Sequence, residues 1–298
     1  MVKKIIALTA LSCVTLMAAD FNAQAEKDRK DLIQYFEKKF SDPAGKSRSF
    51  FPYVDEKELK DNYIKGLKWQ DFAKGSYSYA KAAKEQYLEI IDVPPYDDNI
   101  DNGEELYGKI KGLKQCFPDP AKAATEYPKF DDKTKQVVTL TGAINNCVVK
   151  NGGKALGWKK GKVADIEAYF AAQAKEKGLK IDVKIPSKEA QKAYEAGKRY
   201  YYAQRGYIKL NCANCHVQGA GQRVRKENLS PLLGHATHFP VYRLKWQGLG
   251  TLERRMGGCI KNMGQQPPKP NSADTRNLIY FLSYMSNGMK IDGPDVRR

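Results

Sequence analysis

Apolar residues recur along much of the chain at the three- and four-residue spacing of an amphipathic helix. Residues 28–40 carry this spacing at Leu32, Ile33, Phe36 and Phe40. Residues 56–89 are also rich in helix-forming types, and a further helix is predicted to start near Ser187 and to end near Gly206. Prolines mark the predicted loops; they are Pro52, Pro94, Pro95 and Pro186. The pattern predicts a mainly α-helical protein.

Two parts of the chain carry the same landmarks in the same order. Residues 103–182 and 197–292 each contain a glycine followed by a tyrosine, then one cysteine position near the start and another further on, then Ala-Asp, Tyr-Phe and a closing Gly-x-Lys-Ile-Asp. The first cysteine position is Cys116 in one copy and the pair Cys212 and Cys215 in the other. Shared landmarks in this order indicate an internal duplication of one small helical unit. The sequence therefore predicts domains at 26–185 and 186–298, with the N-terminal helices wrapping the first.

The beginning of the chain has the pattern of a secretory signal peptide. Lys3 and Lys4 precede an apolar stretch at 5–19, and an Ala-x-Ala site ends at Ala25. Residues 1–25 are predicted to be removed, with cleavage after Ala19 as the alternative. No later apolar run is long enough to cross a bilayer, so a periplasmic protein without a membrane span is expected.

The chain is strongly basic, with a formal net charge of +17 at pH 7. Lysines spread over the whole length supply most of this charge, which is typical of a solvated surface. The same charge could also steer anionic substrates or acidic partners towards the protein. Nucleic acid is not expected as a partner, because no recognised nucleic-acid-binding motif is present and the chain is predicted to be secreted.

A haem-attachment motif stands out in the second copy. Cys212 and Cys215 enclose two residues and His216 follows directly, the C-x-x-C-H arrangement of c-type haem. Two thiols can reach the two vinyl groups of one porphyrin, while the imidazole binds the iron from below. A zinc site would need further Cys or His ligands, and a thioredoxin-like redox pair would need a βαβ context. Covalent haem is the prediction.

The first copy lacks this motif, because Phe117 follows Cys116 and no histidine is nearby. The fold class predicted is thus two cytochrome c-like helical domains related by duplication, the first without haem. Cys116 and Cys147 stand where a porphyrin would separate them in the other copy. Without haem between them they could approach each other, so a Cys116–Cys147 disulfide is predicted.

The sequence alone does not decide which residue is the second axial ligand of the iron. Methionine is usual in electron-transfer cytochromes c. One group of candidates consists of methionines and histidines: Met256, Met263, Met285, Met289, His235 and His238. The other candidate is Cys259, the unpaired cysteine, whose thiolate would lower the potential of the iron.

Arg255 precedes Cys259 by four residues, which places both on one face of a helix. A guanidinium beside a thiol favours the anionic sulfur and can hold an oxyanion through paired N–H donors. The Arg254–Arg255 pair could equally be two solvated surface charges. Because the pair lies close to Cys259, the unpaired cysteine, a functional role for the arginines is the favoured interpretation.

These residues resemble the SoxA family, the catalytic cytochrome subunits of the SoxAX complex of thiosulfate oxidation. The resemblance rests on the haem motif, on Arg255-x-x-x-Cys259, on the segment from His238 to Arg243, and on the duplication with a degenerate first half. It covers most of the mature chain, and it matches the members whose N-terminal domain lacks haem.

The resemblance implies one covalent haem c with His216 and Cys259 as axial ligands. It further implies that Cys259 becomes a persulfide and that Arg255 binds thiosulfate. An L-cysteine S-thiosulfotransferase would join thiosulfate to a cysteine of SoxY in the carrier SoxYZ and pass two electrons through haem to SoxX, its partner in a heterodimer. A second basic substrate residue is implied, with Arg254, Lys261 and Arg276 as candidates.

The alternative is a plain electron-transfer cytochrome c with methionine ligation and no sulfur chemistry. A structural haem or sensor module has no specific support.

Overall fold

The structure, a computed structural model, describes residues 20–225 and 227–297. The predicted signal residues before Asp20 lie outside this part. The α-helices are α1 (Ala23–Lys39), α2 (Glu56–Asn62), α3 (Lys81–Asp92), α4 (Asp97–Lys109), α5 (Leu113–Cys116), α6 (Pro120–Glu126), α7 (Leu140–Lys150), α8 (Lys162–Glu176), α9 (Lys188–Tyr202), α10 (Leu252–Asn262) and α11 (Ala273–Met285). Short 3₁₀ segments cover Arg48–Phe50 and Trp69–Ser78, and a π-helical turn covers Asn214–Gln218. The prediction of a mainly helical protein is confirmed.

Short strands join these helices into small sheets. They are β1 (Lys129–Asp131), β2 (Gln136–Val138), β3 (Arg223–Val224), β4 (Glu227–Asn228), β5 (Val241–Arg243), β6 (Gly248–Gly250) and β7 (Asp295–Arg297). β1 pairs with β2 and β3 with β4 in antiparallel hairpins. β5 lies between an antiparallel β6 and a parallel β7, so the end of the chain returns to the centre of the molecule.

Two helix pairs cross in the same way at a glycine. In the first pair, α4 crosses α8 so closely that a Cβ on Gly103 would lie 2.0 Å from the carbonyl oxygen of Asp165. In the second pair, α9 crosses α11, and a Cβ on Gly197 would lie 2.0 Å from the carbonyl oxygen of Asn277. Any side chain would push these backbones apart, which explains a glycine at both crossings.

The N-terminal segment, which the sequence predicts to wrap the first domain, contacts both helix pairs: α3 contributes Tyr87 to a cluster with Ala164 and Ala168 of α8, whereas α1 packs on the second pair. Phe36, Phe40 and Phe72 belong to one buried cluster that also contains Tyr194 and Phe281. Buried aromatic residues stabilise the pairing of chain segments through their large apolar area. Amphipathic spacing identifies a buried face but does not say which surface covers it, so the sequence could not place this segment.

Lys39, at the end of α1, ties this segment to the chain after the haem motif. Its side chain is buried, and its Nζ donates to the carbonyl oxygens of Gln218 at 2.7 Å and Val217 at 3.3 Å. Burial lowers the pKa of this amine to about 8. The first helix therefore supports the turn that follows His216.

Among residues 20–225 and 227–297, no helix combines the length and the apolar character that a bilayer crossing requires.

Candidate functional site

A cleft with about 1150 Å³ of empty space lies where α10, the Cys-x-x-Cys-His turn and the β5–β7 sheet meet. Much of its wall is apolar; the wall includes Tyr201, Val241, Leu252, Met256, Ile260, Leu278 and Leu282. Cys212, His216, Arg255 and Cys259 line the same cleft. A concave apolar site with a few convergent polar groups is the usual form of a cofactor site.

His216 is held in an orientation suited to a metal ligand. Its Nδ1 donates to the carbonyl oxygen of Ser230 at 2.9 Å, which leaves Nε2 without a proton. Burial, the largest cause, lowers the pKa of His216 to about 4, so the ring is neutral at pH 7. A neutral imidazole fixed through its other nitrogen is the form that binds metals.

The two cysteines of the motif lie beside this imidazole. Asn211 and Asn214 exchange side chain to backbone hydrogen bonds of 2.9 Å that close the turn around Cys212. Burial raises the pKa of Cys212 to about 12 and also raises the pKa of Cys215. Both are free cysteines, and they are not bonded to each other.

The residues of this cleft fit a haem c. The cleft is large and apolar, it offers two unpaired thiols three residues apart, and a neutral imidazole with a free Nε2 follows them. The sequence motif and the local geometry therefore agree on the same cofactor.

α10 carries Arg255 and Cys259 into the cleft. Thr251 caps the helix, and its hydroxyl accepts from the backbone N–H of Arg254. One turn further, Nη1 of Arg255 donates to Sγ of Cys259 at 2.8 Å. Cys259 is unpaired and half-buried. The structure thus brings together the two residues that the sequence places on one helix face.

Only some of the other candidate ligands of the iron line the cleft. Met256, His235 and His238 also line the cleft, whereas Met263, Met285 and Met289 do not. His235 packs edge-on against His216 with ring centroids 4.4 Å apart, and its Nε2 lies 3.1 Å from the Ser230 hydroxyl. Its ring therefore supports His216 from the side.

The candidates for a second basic residue lie outside the cleft lining. Arg254 lies over the Trp246 ring at 4.1 Å and donates to the carbonyl oxygen of Leu249. Arg276 donates to the carbonyl oxygen of Asn271 and to the Gln136 side chain. Lys261 is exposed. None of these three side chains lines the cleft.

Two other arginines occupy the cleft wall instead. Arg243 on β5 and Arg297 on β7 both line it. Burial, the largest cause, lowers the pKa of Arg243, and the charge of Arg255 adds to the effect. Arg243 falls within a segment that the sequence singles out. Arg297 lies near the chain end with no motif around it, so only the strand pairing reveals it.

The first helical unit contains the predicted disulfide. Cys116 and Cys147 are bonded, with a Cα–Cα distance of 6.3 Å. Phe117, Ile144 and Phe170 fill the space around the bond as a buried cluster. The prediction of this disulfide is confirmed.

Comparison with known proteins agrees with this site. A family profile described as "SoxA/TsdA, cytochrome c domain" matches residues 102–181 and 196–291. The L-cysteine S-thiosulfotransferase subunit SoxA of Chlorobaculum tepidum is 41% identical over 293 residues, which is 97% of this chain and 96% of that protein. The protein of the same name from Allochromatium vinosum is 37% identical over 252 residues, covering 83% of this chain and 85% of that protein.

A solved structure shows the same architecture. The crystal structure of SoxXA from P. pantotrophus matches with a TM-score of 0.64 and 26% sequence identity. The match covers 72% of this chain and 84% of that chain.

Proposed function

Because the chain belongs to the SoxA family of c-type cytochromes, we propose that it joins thiosulfate to a cysteine of a sulfur-carrier protein. The predicted enzyme class is confirmed, since the relatives are named L-cysteine S-thiosulfotransferase subunits. The observation that carries the proposal is the contact of 2.8 Å between Arg255 Nη1 and Cys259 Sγ inside a cleft shared with His216.

The haem is held by residues of the second domain. Cys212 and Cys215 would attach it covalently, and His216 and Cys259 would be the ligands of its iron. When bound, this group supplies one-electron redox chemistry, which a thiolate ligand shifts to low potential. One haem per chain is proposed, because the first domain offers no second motif.

The reaction forms one sulfur–sulfur bond. In the net reaction, the thiol of the carrier cysteine loses its proton, its sulfur joins the outer sulfur of thiosulfate, and two electrons are released, for which the haem of this chain and a partner cytochrome would be the acceptors. The proton is released to solvent. With Cys259 as a persulfide, its outer sulfur would first bond to the outer sulfur of thiosulfate with the loss of the two electrons. The carrier thiolate would then attack that thiosulfate sulfur, and the Cys259 persulfide would leave and be regenerated.

Arg255 positions the substrate beside that sulfur. One of its N–H groups already points at Cys259, and the guanidinium has further donors that can bind the oxygens of a dianion. Thiosulfate bound there would lie next to the atom with which it must react. The cationic side chain would also favour entry of an anion into an apolar cleft.

The first domain, 26–185, is proposed to be a duplicated copy that has lost its haem. The matching glycine crossings of α4 with α8 and of α9 with α11 support the duplication, as do the two segments matched by the family profile. The Cys116–Cys147 bond and the aromatic residues around it then replace a cofactor as the centre of this domain. The second domain, 186–298, holds the haem.

The partners follow from the chemistry and the family. The SoxXA complex of P. pantotrophus supports a SoxX-type cytochrome as the heterodimer partner that accepts the electrons. SoxY within SoxYZ is the proposed carrier. Removal of an N-terminal signal places the reaction in the periplasm.

Two measurements on the purified holoprotein test the proposal. Intact mass should show one haem, one disulfide and, after thiosulfate treatment, extra sulfur on this chain. Optical and electron paramagnetic resonance spectra of the oxidised protein should show a low-spin His/thiolate iron. A His/Met charge-transfer band instead would support the plain electron carrier, with Met256 as the ligand because it alone of the candidate methionines lines the cleft among the described residues.

A further inference from the structure

Arg297 has a buried nitrogen that nothing within the described chain binds. Its Nη1 donates to the carboxylate of Asp295 and to the carbonyl oxygen of Val296 at 2.8 Å, and its guanidinium lies 4.7 Å from the centre of the Tyr77 ring. Nη2 is buried without a hydrogen-bond partner. Because Arg297 also lines the cleft, this donor is available to a bound group.

Arg243 stands directly beside it. Arg243 and Arg297 are register partners in the parallel pairing of β5 with β7, so their backbones lie side by side. Arg243 is only 8% exposed, and it lines the same cleft. Its Nη2 lies 3.5 Å from the carboxylate of Glu227, whose side chain is exposed, so this long ion pair leaves the guanidinium able to bind an anionic ligand in the cleft as well.

These two arginines lie on a different element from the pair that handles sulfur, although Arg243 is close enough to Arg255 for that charge to lower the pKa of Arg243. Arg255 belongs to α10 and contacts Cys259, whereas Arg243 and Arg297 belong to the sheet. The Cys-x-x-Cys-His turn lies on a third element. In haem, the two carboxylate side chains leave the porphyrin edge away from the vinyl groups that the cysteines bind. A basic wall that does not include the cysteines is therefore where these carboxylates are expected.

We propose that Arg297 and Arg243 form a binding site for the two carboxylate side chains of the haem, through the free Nη2 of Arg297 and its strand neighbour. The proposal rests on the haem c of the proposed function. Guanidinium groups suit this role because they stay charged and donate paired hydrogen bonds to a carboxylate. The last strand of the chain would then fix the outer edge of the cofactor.

The test compares the holoproteins of wild type, Arg297→Gln, Arg297→Lys and Arg243→Gln. Arg199→Gln is the matched control, since Arg199 is exposed on α9 and its loss changes the net charge equally. Resonance Raman spectra report the bending bands of the haem carboxylates, and redox titrations report the reduction potential. Both glutamine variants should shift these bands and lower the potential, because a positive charge near the iron favours the reduced state. Arg297→Lys should restore most of the potential but not the bands.

Several outcomes would overturn the assignment. Carboxylate bands unchanged in both glutamine variants would show that the arginines do not touch the haem. A second contrary outcome is that added sulfate shifts the reduction potential of the wild type and that the variants differ from it only in lacking this shift. The two arginines would then bind a free anion rather than the haem carboxylates. If Arg297→Gln misfolds because Asp295 is left buried and unpaired, the double variant Asp295→Asn/Arg297→Gln removes both charges and gives the same readout. Intact mass of each sample shows whether haem is attached, so failure of the haem proposal is seen separately.

Discussion

Nη1 of Arg255 lies 2.8 Å from Sγ of Cys259, one turn earlier on α10. The contact combines a fixed cation with the one free cysteine outside the haem motif among the described residues. Both side chains project into a cleft that the imidazole of His216 also lines. An anion held by the guanidinium is thereby placed beside a sulfur atom, and this arrangement is the basis of the first two predictions.

Arg255→Gln should lower kcat/KM for thiosulfate by roughly 10- to 100-fold, because a hydrogen bond to a charged group contributes about 1.5–3 kcal/mol. Arg255→Lys should recover only part of this, since lysine keeps the charge but loses the paired donors. Steady-state kinetics with carrier protein and partner cytochrome measure the effect. Arg199→Gln, an exposed arginine on α9, controls for net charge. Equal losses in both glutamine variants would point to steering by overall charge rather than to binding at Arg255.

Cys259→Ser should reduce thiosulfate conjugation to background while the haem stays attached, because Cys212 and Cys215 remain. The measurement is the mass of the carrier after reaction, together with the haem content of the variant. The low-spin thiolate spectrum should also be lost. Full turnover in Cys259→Ser would exclude this sulfur as the acceptor.

The sequence predicts the site better than it predicts the surroundings of the site. A four-residue interval on a helix fixes the Arg255–Cys259 contact, and a three-residue motif fixes the place of His216, because both depend on local backbone geometry alone. The Cys116–Cys147 bond was predictable from the comparison of two copies. Arg297 was not, because it reaches the cleft only through the parallel pairing of β7 with β5. Long-range pairing of three-residue strands leaves little periodic signal.

The position of the N-terminal helices shows the same limit. Phe36 and Phe40 correctly predict a buried helix face, but the local sequence contains no information about which domain packs against that face. Lys39 carries no sequence signal at all for a buried role, since lysine is most often exposed. Its contacts with the chain after His216 appear only in the folded protein.

Lys39→Met should destabilise the fold by about 1–3 kcal/mol, the cost of leaving one buried carbonyl without a donor. The carbonyl group of Gln218 loses the Nζ that binds it, and the apolar replacement cannot substitute, whereas the carbonyl group of Val217 keeps the Tyr35 hydroxyl at 3.4 Å. Lys38→Met is the matched control, because Lys38 is exposed on the same helix. Urea unfolding of the holoproteins measures both changes. A Lys39→Met protein as stable as Lys38→Met would mean that the Gln218 carbonyl finds another partner.

Glu167 should make the stability fall as the pH rises. This carboxyl is buried on α8, accepts from the Thr141 hydroxyl, and has a pKa raised to about 8, chiefly by burial and further by the charge of Glu253. Between the ordinary value of 4.5 and about 8, the folded state keeps a proton that the unfolded state has lost. The free energy of unfolding therefore drops by about 1.4 kcal/mol per pH unit in this window.

Glu167→Gln should remove most of that slope, because glutamine stays neutral at every pH in the window. Urea unfolding between pH 5 and about pH 9 measures it. Glu176→Gln, at the exposed end of the same helix, should leave the slope as in wild type. An unchanged slope in Glu167→Gln would assign the pH dependence to other groups.

The mature protein should begin at Asp20, after cleavage at the alternative site, rather than at Glu26. Ala25 is only 1% exposed, and Asn22 exchanges two hydrogen bonds with the backbone of Ile185, of 2.9 and 3.2 Å. Cleavage after Ala25 would remove these contacts and leave the Ile185 N–H without its partner, which costs about 1–3 kcal/mol if it stays buried. Intact mass and N-terminal sequencing of the exported protein distinguish the two ends. A chain starting at Glu26 with unaltered stability would show that residues 20–25 are dispensable, and Asn22→Ala in the longer chain should then have no effect on urea unfolding.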